Sequence, residues 1–313
     1  MNRSVAALPR ELQSYPLFRD FHAALEATQP DVVVIATYSD SHADYACAAL
    51  EQGAHVFVEK PLATTVSDAR RVVETARRTG LKLVVGYILR HHPSWMRLIA
   101  EARALGGPYV FRLNLNQQST GPAWEVHKAL MRTTPPIVDC GVHYVDVMCQ
   151  ITDAPPVRVH GMGLRLSDEI AEDMYNYGQF QVVFADGSVG WYEAGWGPMM
   201  SEVAYFVKDV ISPRGAVSIL SGMHPASASV EGHTRVGCLR IHRADGTDED
   251  VDFAGEPGHQ ALCDAEQAFL LRAIAEDRDL ARHMEDAVAS LAVCLAADES
   301  IRTGRTVHLD FPG

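Results

Sequence analysis

Residues 55–64 read HVFVEKPLAT, a short apolar run that ends in the charged pair Glu59-Lys60 and in Pro61. An apolar run without polar alternation is typical of a strand covered on both faces, as in a parallel sheet. Pro61 restricts the residue before it to an extended backbone, so Lys60 leaves the strand in a defined direction. A lysine at a strand end is most often a solvated terminus. The neighbouring segments decide between that interpretation and a functional one.

Two further runs of the same character flank this one, VVVIAT at residues 32–37 and KLVVGY at residues 82–87. Residues 39–54 and 64–80, which separate the three runs, both have helical character. The first stops at a glycine, and the second has a threonine or serine for its N-cap and a glycine as terminator. Strand, helix, strand, helix, strand predicts a right-handed βαβ array.

Three side chains stand where the predicted parallel strands end, namely Thr37, Lys60 and Tyr87. Ligands of α/β sheets bind beyond the carboxyl ends of the strands. Each residue alone suits a solvated loop, but three at the same edge favour a ligand site there.

The pattern changes from about residue 108. Phe111, Leu113 and Leu115 alternate with polar residues, which is typical of a sheet with one wet face. The dipeptides Asp-Gly at 186–187 and 245–246 each lie between strand-like runs and predict hairpins. Apolar residues spaced by three and four predict helices over 262–273 and 284–301.

A second group of candidate residues lies in PPIVDCGVHYVD, residues 135–146. Asp139 and His143 are four apart, so they share one face of a helix. An imidazole can take and return a proton near neutral pH, and a carboxylate beside it can fix its tautomer or bind a substrate hydroxyl. Taken alone, this spacing is more typical of a helix N-terminal Asp with a nearby core His, and Asp146 is an alternative partner for His143.

Together these segments resemble the Gfo/Idh/MocA family of NAD(P)-dependent oxidoreductases, which includes glucose–fructose oxidoreductase and inositol dehydrogenase relatives. The segments that carry the resemblance are VVVIAT with a following histidine, EKP, Gly86 with Arg90 and Pro93, DCGVHYVD and ESIRTGRTVHL. They cover residues 16–310 in order.

The resemblance implies a catalytic group of Lys60, Asp139 and His143. His143 would act as general acid/base, Asp139 would bind substrate, and Lys60 would polarise the reacting oxygen beside the nicotinamide. The resemblance also implies cofactor contacts at Thr37, His42, Glu59 and Lys60. A structural role is the more common one for each candidate residue of the sugar pocket, and these candidates are Tyr87, Arg90, Trp124, His127 and Tyr175.

The segment that normally binds the dinucleotide phosphates is missing. Such folds open with a strand and G-x-G-x-x-G at a helix N-terminus, yet residues 1–31 contain no glycine. We therefore expect that the chain starts after the first β-α-β unit, by truncation or as a natural variant. Binding of NAD or NADP is then expected to be weak or lost. The strand at 32–37 would have a bare edge and partly uncovered side chains.

The predicted fold class is α/β plus α+β. Residues 1–107 form an incomplete N-terminal Rossmann-like parallel sheet, a partial dinucleotide-binding domain. Residues 108–313 form a large, mostly antiparallel β-sheet domain for substrate binding and oligomerisation, with helices at 260–303 packing back onto the fold. Tyr38 stands where the resemblance implies a proline, and Thr133–Pro136 stand where it implies a glycine-rich stretch. The second of these segments would border the substrate, so the resemblance does not indicate which substrate is bound.

Composition excludes several other classes of protein. A chain of 313 residues with 47% hydrophobic and 21% charged residues is typical of a globular protein. Its net charge of −13 argues against nucleic-acid binding, because a polyanion binds to a basic surface. The sequence has no apolar run of membrane-spanning length and no secretory signal at residues 1–13, so we expect a cytoplasmic location. The scattered cysteines and histidines lack ligand spacing, which predicts no metal site.

The predicted function is oxidation of a secondary hydroxyl of a sugar, polyol or derivative. The alternatives are a cofactor-deficient binding or assembly subunit of the same fold and an NAD-using hydrolase or lyase of the same superfamily. A large open sheet needs a covering layer, so we expect a homo-oligomer, a dimer or tetramer, through the C-terminal sheet.

Overall fold

The computed structural model describes residues 14–201, 207–220, 227, 229 and 234–311. Residues 1–13, for which the sequence predicts no secretory signal, lie outside this part of the chain. Two compact units are present: Met1–Val85 with Leu270–Met284, and Gly86–Phe269 with Glu285–Gly313.

The units do not follow the domain boundary drawn from the sequence. Residues 86–107 belong to the second unit, and residues 270–284 belong to the first. The functional boundary at residue 107 stays a prediction.

The first unit contains the expected parallel array. Its elements are α1 (Phe21–Thr28), β1 (Val32–Ile35), α2 (His42–Glu51), β2 (His55–Val58), α3 (Val66–Thr79) and β3 (Leu83–Val85). The three strands are parallel in the order β1-β2-β3, with Val33 opposite Val56 and Val56 opposite Leu83. Within the described residues β1 pairs only with β2, and Val34 is 54% exposed. The prediction of an incomplete parallel sheet is confirmed for this part of the chain.

Helix α3 begins and ends where its sequence indicates. The Thr65 hydroxyl accepts a hydrogen bond from the Asp68 N–H at 3.0 Å, which caps the first turn. Gly80 adopts a φ of 70°, a left-handed conformation that costs glycine little and ends the helix.

The C-terminal segment of the first unit is tied to β3 and the residue before it. The His283 Nε2 accepts the Val85 N–H at 2.8 Å, and Lys82 forms an ion pair with Asp277 at 2.6 Å. These contacts hold residues 277 and 283 against the parallel sheet.

The described part of the second unit is built on a sheet of nine strands. Its strands are β4 (Val110–Gln118), β5 (Pro156–Leu164), β6 (Tyr177–Phe184), β7 (Val189–Gly197), β8 (Lys208–Ser212), β9 (Gly215–Leu220), β10 (Cys238–Arg243), β11 (Asp248–Asp252) and β12 (Val307–His308). Their order is β11-β10-β9-β8-β4-β7-β6-β5-β12. Every pair is antiparallel except β4 with β7. The prediction of a large, mostly antiparallel sheet is confirmed.

Both predicted hairpins form at their Asp-Gly dipeptides. Gly187 and Gly246 adopt φ values of 87° and 86°, which side chains rarely tolerate, and they connect β6 to β7 and β10 to β11. The Asp186 carboxylate accepts the Ser188 N–H at 2.9 Å and stabilises the first turn.

Helices complete the description: α4 (Pro93–Leu105), α5 (Gly121–Leu130), α6 (Pro136–Asp139), α7 (Gly141–Thr152), α8 (His259–Ala275) and α9 (Ala281–Thr303). The core of the second unit lies between the sheet and α7, where Tyr144 stacks on Tyr192 with ring centroids 5.0 Å apart. No helix in the described part of the chain is both long and apolar enough to cross a bilayer.

Candidate active site

The carboxyl end of β2 presents two charged side chains. Val56, Phe57 and Val58 are fully buried, whereas Glu59 and Lys60 are partly exposed and Pro61 is buried again. The Glu59 N–H donates to the Ile35 carbonyl at 2.8 Å, which extends the parallel pairing to β1 by one residue. The Lys60–Pro61 peptide is cis. Lys60 therefore emerges at the strand edge where a parallel sheet binds ligands.

The carboxyl end of β1 is closed by a local hydrogen-bond network. The Thr37 and Ser41 hydroxyls lie 2.6 Å apart, and the Ser41 hydroxyl donates to the Tyr38 carbonyl at 2.9 Å. Thr37 remains partly exposed, as a cofactor contact requires. Its role at the cofactor stays a prediction.

His42 lies inside the first unit, with 1% of its surface exposed. Its Nδ1 lies 2.8 Å from the Pro61 carbonyl oxygen and its Nε2 lies 3.1 Å from the Thr37 carbonyl oxygen. The ring thus contacts the loops that follow β1 and β2, an arrangement that suits a bracing role better than direct contact with a bound molecule.

In the second unit, Asp139 and His143 are set apart by their exposure. Asp139 ends α6, and His143 lies in the first turn of α7. Every residue from 135 to 149 is buried except these two, which are partly exposed. An otherwise buried helical segment therefore presents one carboxylate and one imidazole to its surroundings, one turn apart.

Tyr87 forms a wall beside His143. The two rings meet edge to face, with centroids 5.8 Å apart and planes at 76°. The buried Tyr87 hydroxyl lies 2.9 Å from the Ser290 hydroxyl, and burial raises the pKa of this phenol, which therefore stays protonated. These contacts place Tyr87 next to the proposed base and support that ring from behind.

Arg90 is held inside the second unit by two carboxylates. Its guanidinium donates to both oxygens of Asp146, at 2.9 and 2.6 Å, and to Asp286 at 2.8 Å. These bonds give Arg90 a structural role, and its place in a sugar pocket stays a prediction. Asp146 also accepts from Gln150 at 2.9 Å. Its carboxylate is thus committed to Arg90, which leaves Asp139 as the better candidate to work with His143.

Two of the other pocket candidates, Trp124 and His127, lie one turn apart on α5, and Tyr175 lies just before β6. Trp124 donates from Nε1 to Glu169 at 3.1 Å, and the Tyr175 hydroxyl donates to Asp298 at 2.7 Å. The His127 ring stacks on Trp196 with centroids 4.3 Å apart. Contact with substrate stays a prediction for all three.

Two buried polar contacts connect Trp196, on which His127 stacks, to Cys140, the residue after Asp139. Gln117 takes part in both contacts and is not among the residues predicted from the sequence. Trp196 Nε1 donates to Gln117 Oε1 at 2.8 Å, and the Cys140 thiol lies 3.9 Å from the same oxygen.

Gln117 lies on the same face of β4 as Phe111, Leu113 and Leu115. A polar residue at a core position of an alternating strand is the signal that identifies it. Asn114 and Asn116 on the opposite face are buried as well, so the expectation of one wet face is wrong for this part of the strand.

Among the described residues, no three His, Cys, Asp or Glu side chains cluster in a way that could hold a metal ion. Metal independence of the reaction stays a prediction.

Two family models match this chain. Residues 2–87 match the oxidoreductase family with an NAD-binding Rossmann fold, and residues 95–205 match the GFO/IDH/MocA C-terminal domain. The chain belongs to the Gfo/Idh/MocA family. The two matches follow one another in the order that the sequence motifs predict, so the resemblance drawn from those motifs is confirmed.

Curated relatives of this Gfo/Idh/MocA chain include inositol dehydrogenases. It is 26% identical over 308 residues to scyllo-inositol 2-dehydrogenase (NAD(+)) of Bacillus subtilis, covering 96% of this chain and 84% of that protein. It is 30% identical over 149 residues to inositol 2-dehydrogenase of Salmonella paratyphi B, covering 47% of this chain and 42% of that enzyme. The chain therefore matches less than half the length of the Salmonella enzyme.

Solved structures share the fold of this family member. A crystal structure of an NAD binding oxidoreductase from Klebsiella pneumoniae superposes with a TM-score of 0.75 at 20% identity, covering 94% of this chain and 84% of that one. At this identity the likeness describes the fold alone.

The residues of this family member fit one side of a dinucleotide. Thr37, Glu59 and Lys60 remain partly exposed at the ends of β1 and β2, where the nicotinamide side would lie. The chain contains no G-x-G-x-x-G for the pyrophosphate. Its first domain matches an NAD-binding model, and weakened binding stays a prediction.

Proposed function

We propose that this chain oxidises a secondary hydroxyl of a sugar, polyol or derivative with NAD or NADP as the hydride acceptor. The observation that carries the proposal is the exposure of Asp139 and His143 alone within residues 135–149. A ligand can reach a partly exposed carboxylate and imidazole, whereas the neighbouring side chains of this segment are buried. Inositol dehydrogenases among the relatives support a cyclic polyol as the first substrate class to test.

The proposed roles follow from the chemistry of each side chain. A bound nicotinamide supplies the hydride acceptor. The His143 imidazole takes the proton of the reacting hydroxyl as the carbon–hydrogen bond breaks, and it returns that proton in the reverse reaction. The Asp139 carboxylate accepts a hydrogen bond from a substrate hydroxyl, and the Lys60 ammonium polarises the reacting oxygen.

An assay of the purified chain with a panel of inositols and aldoses tests the proposal. Each polyol is offered with NAD and with NADP, and formation of reduced nicotinamide is followed by absorbance. We expect turnover of at least one cyclic polyol or sugar, and loss of most of that turnover in H143N. Absence of turnover above the H143N background with every polyol and both cofactors would contradict the proposal.

A cofactor-deficient binding subunit is the second candidate, because the chain has no G-x-G-x-x-G. Fluorescence titration with NADH separates the two candidates. A dissociation constant in the low-micromolar range counts against a deficient subunit, whereas no saturation favours it.

Homo-oligomerisation through the large sheet is supported by the side chains on its outer face, the face that carries Met162, Leu164 and Trp191. Met162 and Leu164 are each 57% exposed, and they lie opposite Gln179 and Tyr177 on β6. Trp191 donates to Gln179 across this face at 3.1 Å. Exposed apolar side chains on a broad sheet are typical of a contact surface. A cytoplasmic location remains the accompanying prediction.

A further inference from the structure

The buried ring of His42 connects the ends of two parallel strands. It opens helix α2, and each ring nitrogen lies within hydrogen-bond distance of a backbone carbonyl oxygen. One of these oxygens belongs to Thr37, in the loop after β1. The other belongs to Pro61, directly after Lys60. A single side chain thus spans the loops that follow both strands.

The two contacts of His42 compete for one ring proton, and their lengths indicate which nitrogen carries it. Carbonyl oxygens only accept hydrogen bonds, so each contact needs an N–H on the ring, and a neutral imidazole has one. The Pro61 contact is the shorter, 2.8 Å against 3.1 Å. The proton of a neutral His42 ring is therefore best placed on Nδ1, where it donates to Pro61.

The loop after β1 has its own support and does not depend on His42. The Thr37 and Ser41 hydroxyls lie 2.6 Å apart, and the Ser41 hydroxyl donates to the Tyr38 carbonyl. Loss of the Nε2 contact therefore leaves this loop held. Loss of the Nδ1 contact removes a buried bond from the residue next to Lys60.

We propose that His42 is a positioning residue for Lys60, acting through the hydrogen bond from Nδ1 to the Pro61 carbonyl. This inference rests on the proposed function in one respect, the assignment of Lys60 to the reacting oxygen. It replaces the cofactor contact that the family resemblance implies for His42 with an indirect role. Partners that orient a functional side chain commonly contribute tenfold or more, roughly, to activity.

Two conservative variants separate the two contacts. The amide nitrogen of asparagine occupies about the position of Nδ1, and that of glutamine about the position of Nε2. H42N therefore keeps a donor for Pro61, and H42Q keeps a donor for Thr37. The control is H55Q, because His55 lies at the opposite end of β2 and accepts the Lys82 N–H at 2.9 Å.

The chain offers a readout that does not require turnover. It contains four lysines, Lys60, Lys82, Lys128 and Lys208. Carbon-13 labelling of the lysine side chains gives one ε-carbon signal for each, and K60R assigns the Lys60 signal. The signals of the other three lysines then report whether a substitution disturbs the fold as a whole.

We expect H42Q to shift the Lys60 signal and its titration midpoint, while Lys128 and Lys208 keep theirs. H42N should stay closer to the wild type, and H55Q should move Lys82 rather than Lys60. In the oxidation assay, H42Q should lose about tenfold more kcat than H42N, with cofactor KM less affected.

The proposal is overturned if the Lys60 signal is the same in H42Q and in the wild type, or if all four lysine signals shift together. A chain that turns over no polyol, but whose Lys60 signal responds to H42Q, would refute the proposed function and leave the positioning role standing.

Discussion

Arg90 and Asp146 form a two-point ion pair inside the second unit. Arg90 Nε donates to Asp146 Oδ2 at 2.9 Å, and Nη2 donates to Oδ1 at 2.6 Å. The Asp146 side chain is fully buried, and that of Arg90 is 15% exposed. Since α7 carries both Asp146 and His143, this pair anchors the helix that presents the proposed base.

Breaking this pair should destabilise the protein. D146N leaves a buried guanidinium with one carboxylate partner fewer, and we expect the free energy of unfolding in urea to fall by about 3 kcal/mol. The control is D153N, which removes the half-exposed partner of Arg103 at 2.6 Å and should cost less than about 1 kcal/mol. Equal losses in the two variants would show that Arg90 is not an anchor.

Removal of the proposed base should affect catalysis and leave the fold intact. H143N should lower kcat by about 100-fold or more for any polyol that the chain oxidises, because proton transfer in the transition state is lost. D139N should raise the KM for the polyol more than that for the cofactor. Circular dichroism and the urea midpoint serve as the fold control, since both side chains are partly exposed. A kcat within a fewfold of the wild type in H143N would exclude this residue as the base.

His92 should make stability depend on pH. Burial lowers the pKa of its imidazole below the ordinary value of 6.5, although Glu256 opposes this shift. As the pH falls below 6.5, His92 of the unfolded chain takes up a proton before His92 of the folded chain does. Stability therefore decreases between pH 6.5 and the lower pKa of the folded state.

Asparagine at position 92 tests this pH dependence. The His92 Nδ1 accepts the Ser94 N–H at the start of α4, and its Nε2 lies 2.8 Å from the Thr234 carbonyl oxygen. An asparagine keeps the first contact, because its amide oxygen reaches about the position of Nδ1, and it does not titrate. We expect the melting temperature of H92N to fall less than that of the wild type between neutral and mildly acidic pH. Parallel curves would remove His92 as the cause.

The outer face of the sheet should hold copies of the chain together. M162E and L164E place charges among exposed apolar side chains, so each should lower the mass measured by light scattering. L271E is the control, because Leu271 is 59% exposed on α8 rather than on the sheet. A wild type that is already monomeric at high concentration would refute the oligomer prediction.

Local patterns predicted much of the fold because its strands and turns carry their own signals. The apolar run at residues 55–58 and the cap at Thr65 depend on neighbours within a few residues, and the structure confirms both. The parallel pairing of β4 with β7 joins segments about 80 residues apart, and nothing in either strand specifies it.

The candidate site was harder to predict for the same reason. The sequence places Asp139, His143 and Asp146 on one segment, but only the tertiary contact with Arg90 separates Asp146 from the other two. Likewise, the bracing contacts of His42 depend on a carbonyl 19 residues away.

A double-mutant cycle on Lys60 and His143 tests the central claim most directly. It measures kcat/KM for the best polyol in the wild type, K60M, H143N and the double variant. Residues that act on the same reacting hydroxyl have effects that are not additive. We therefore predict that the double variant loses about as much kcat/KM as the less active of the two single variants. Losses that multiply, or a K60M enzyme with wild-type kcat/KM, would contradict the account.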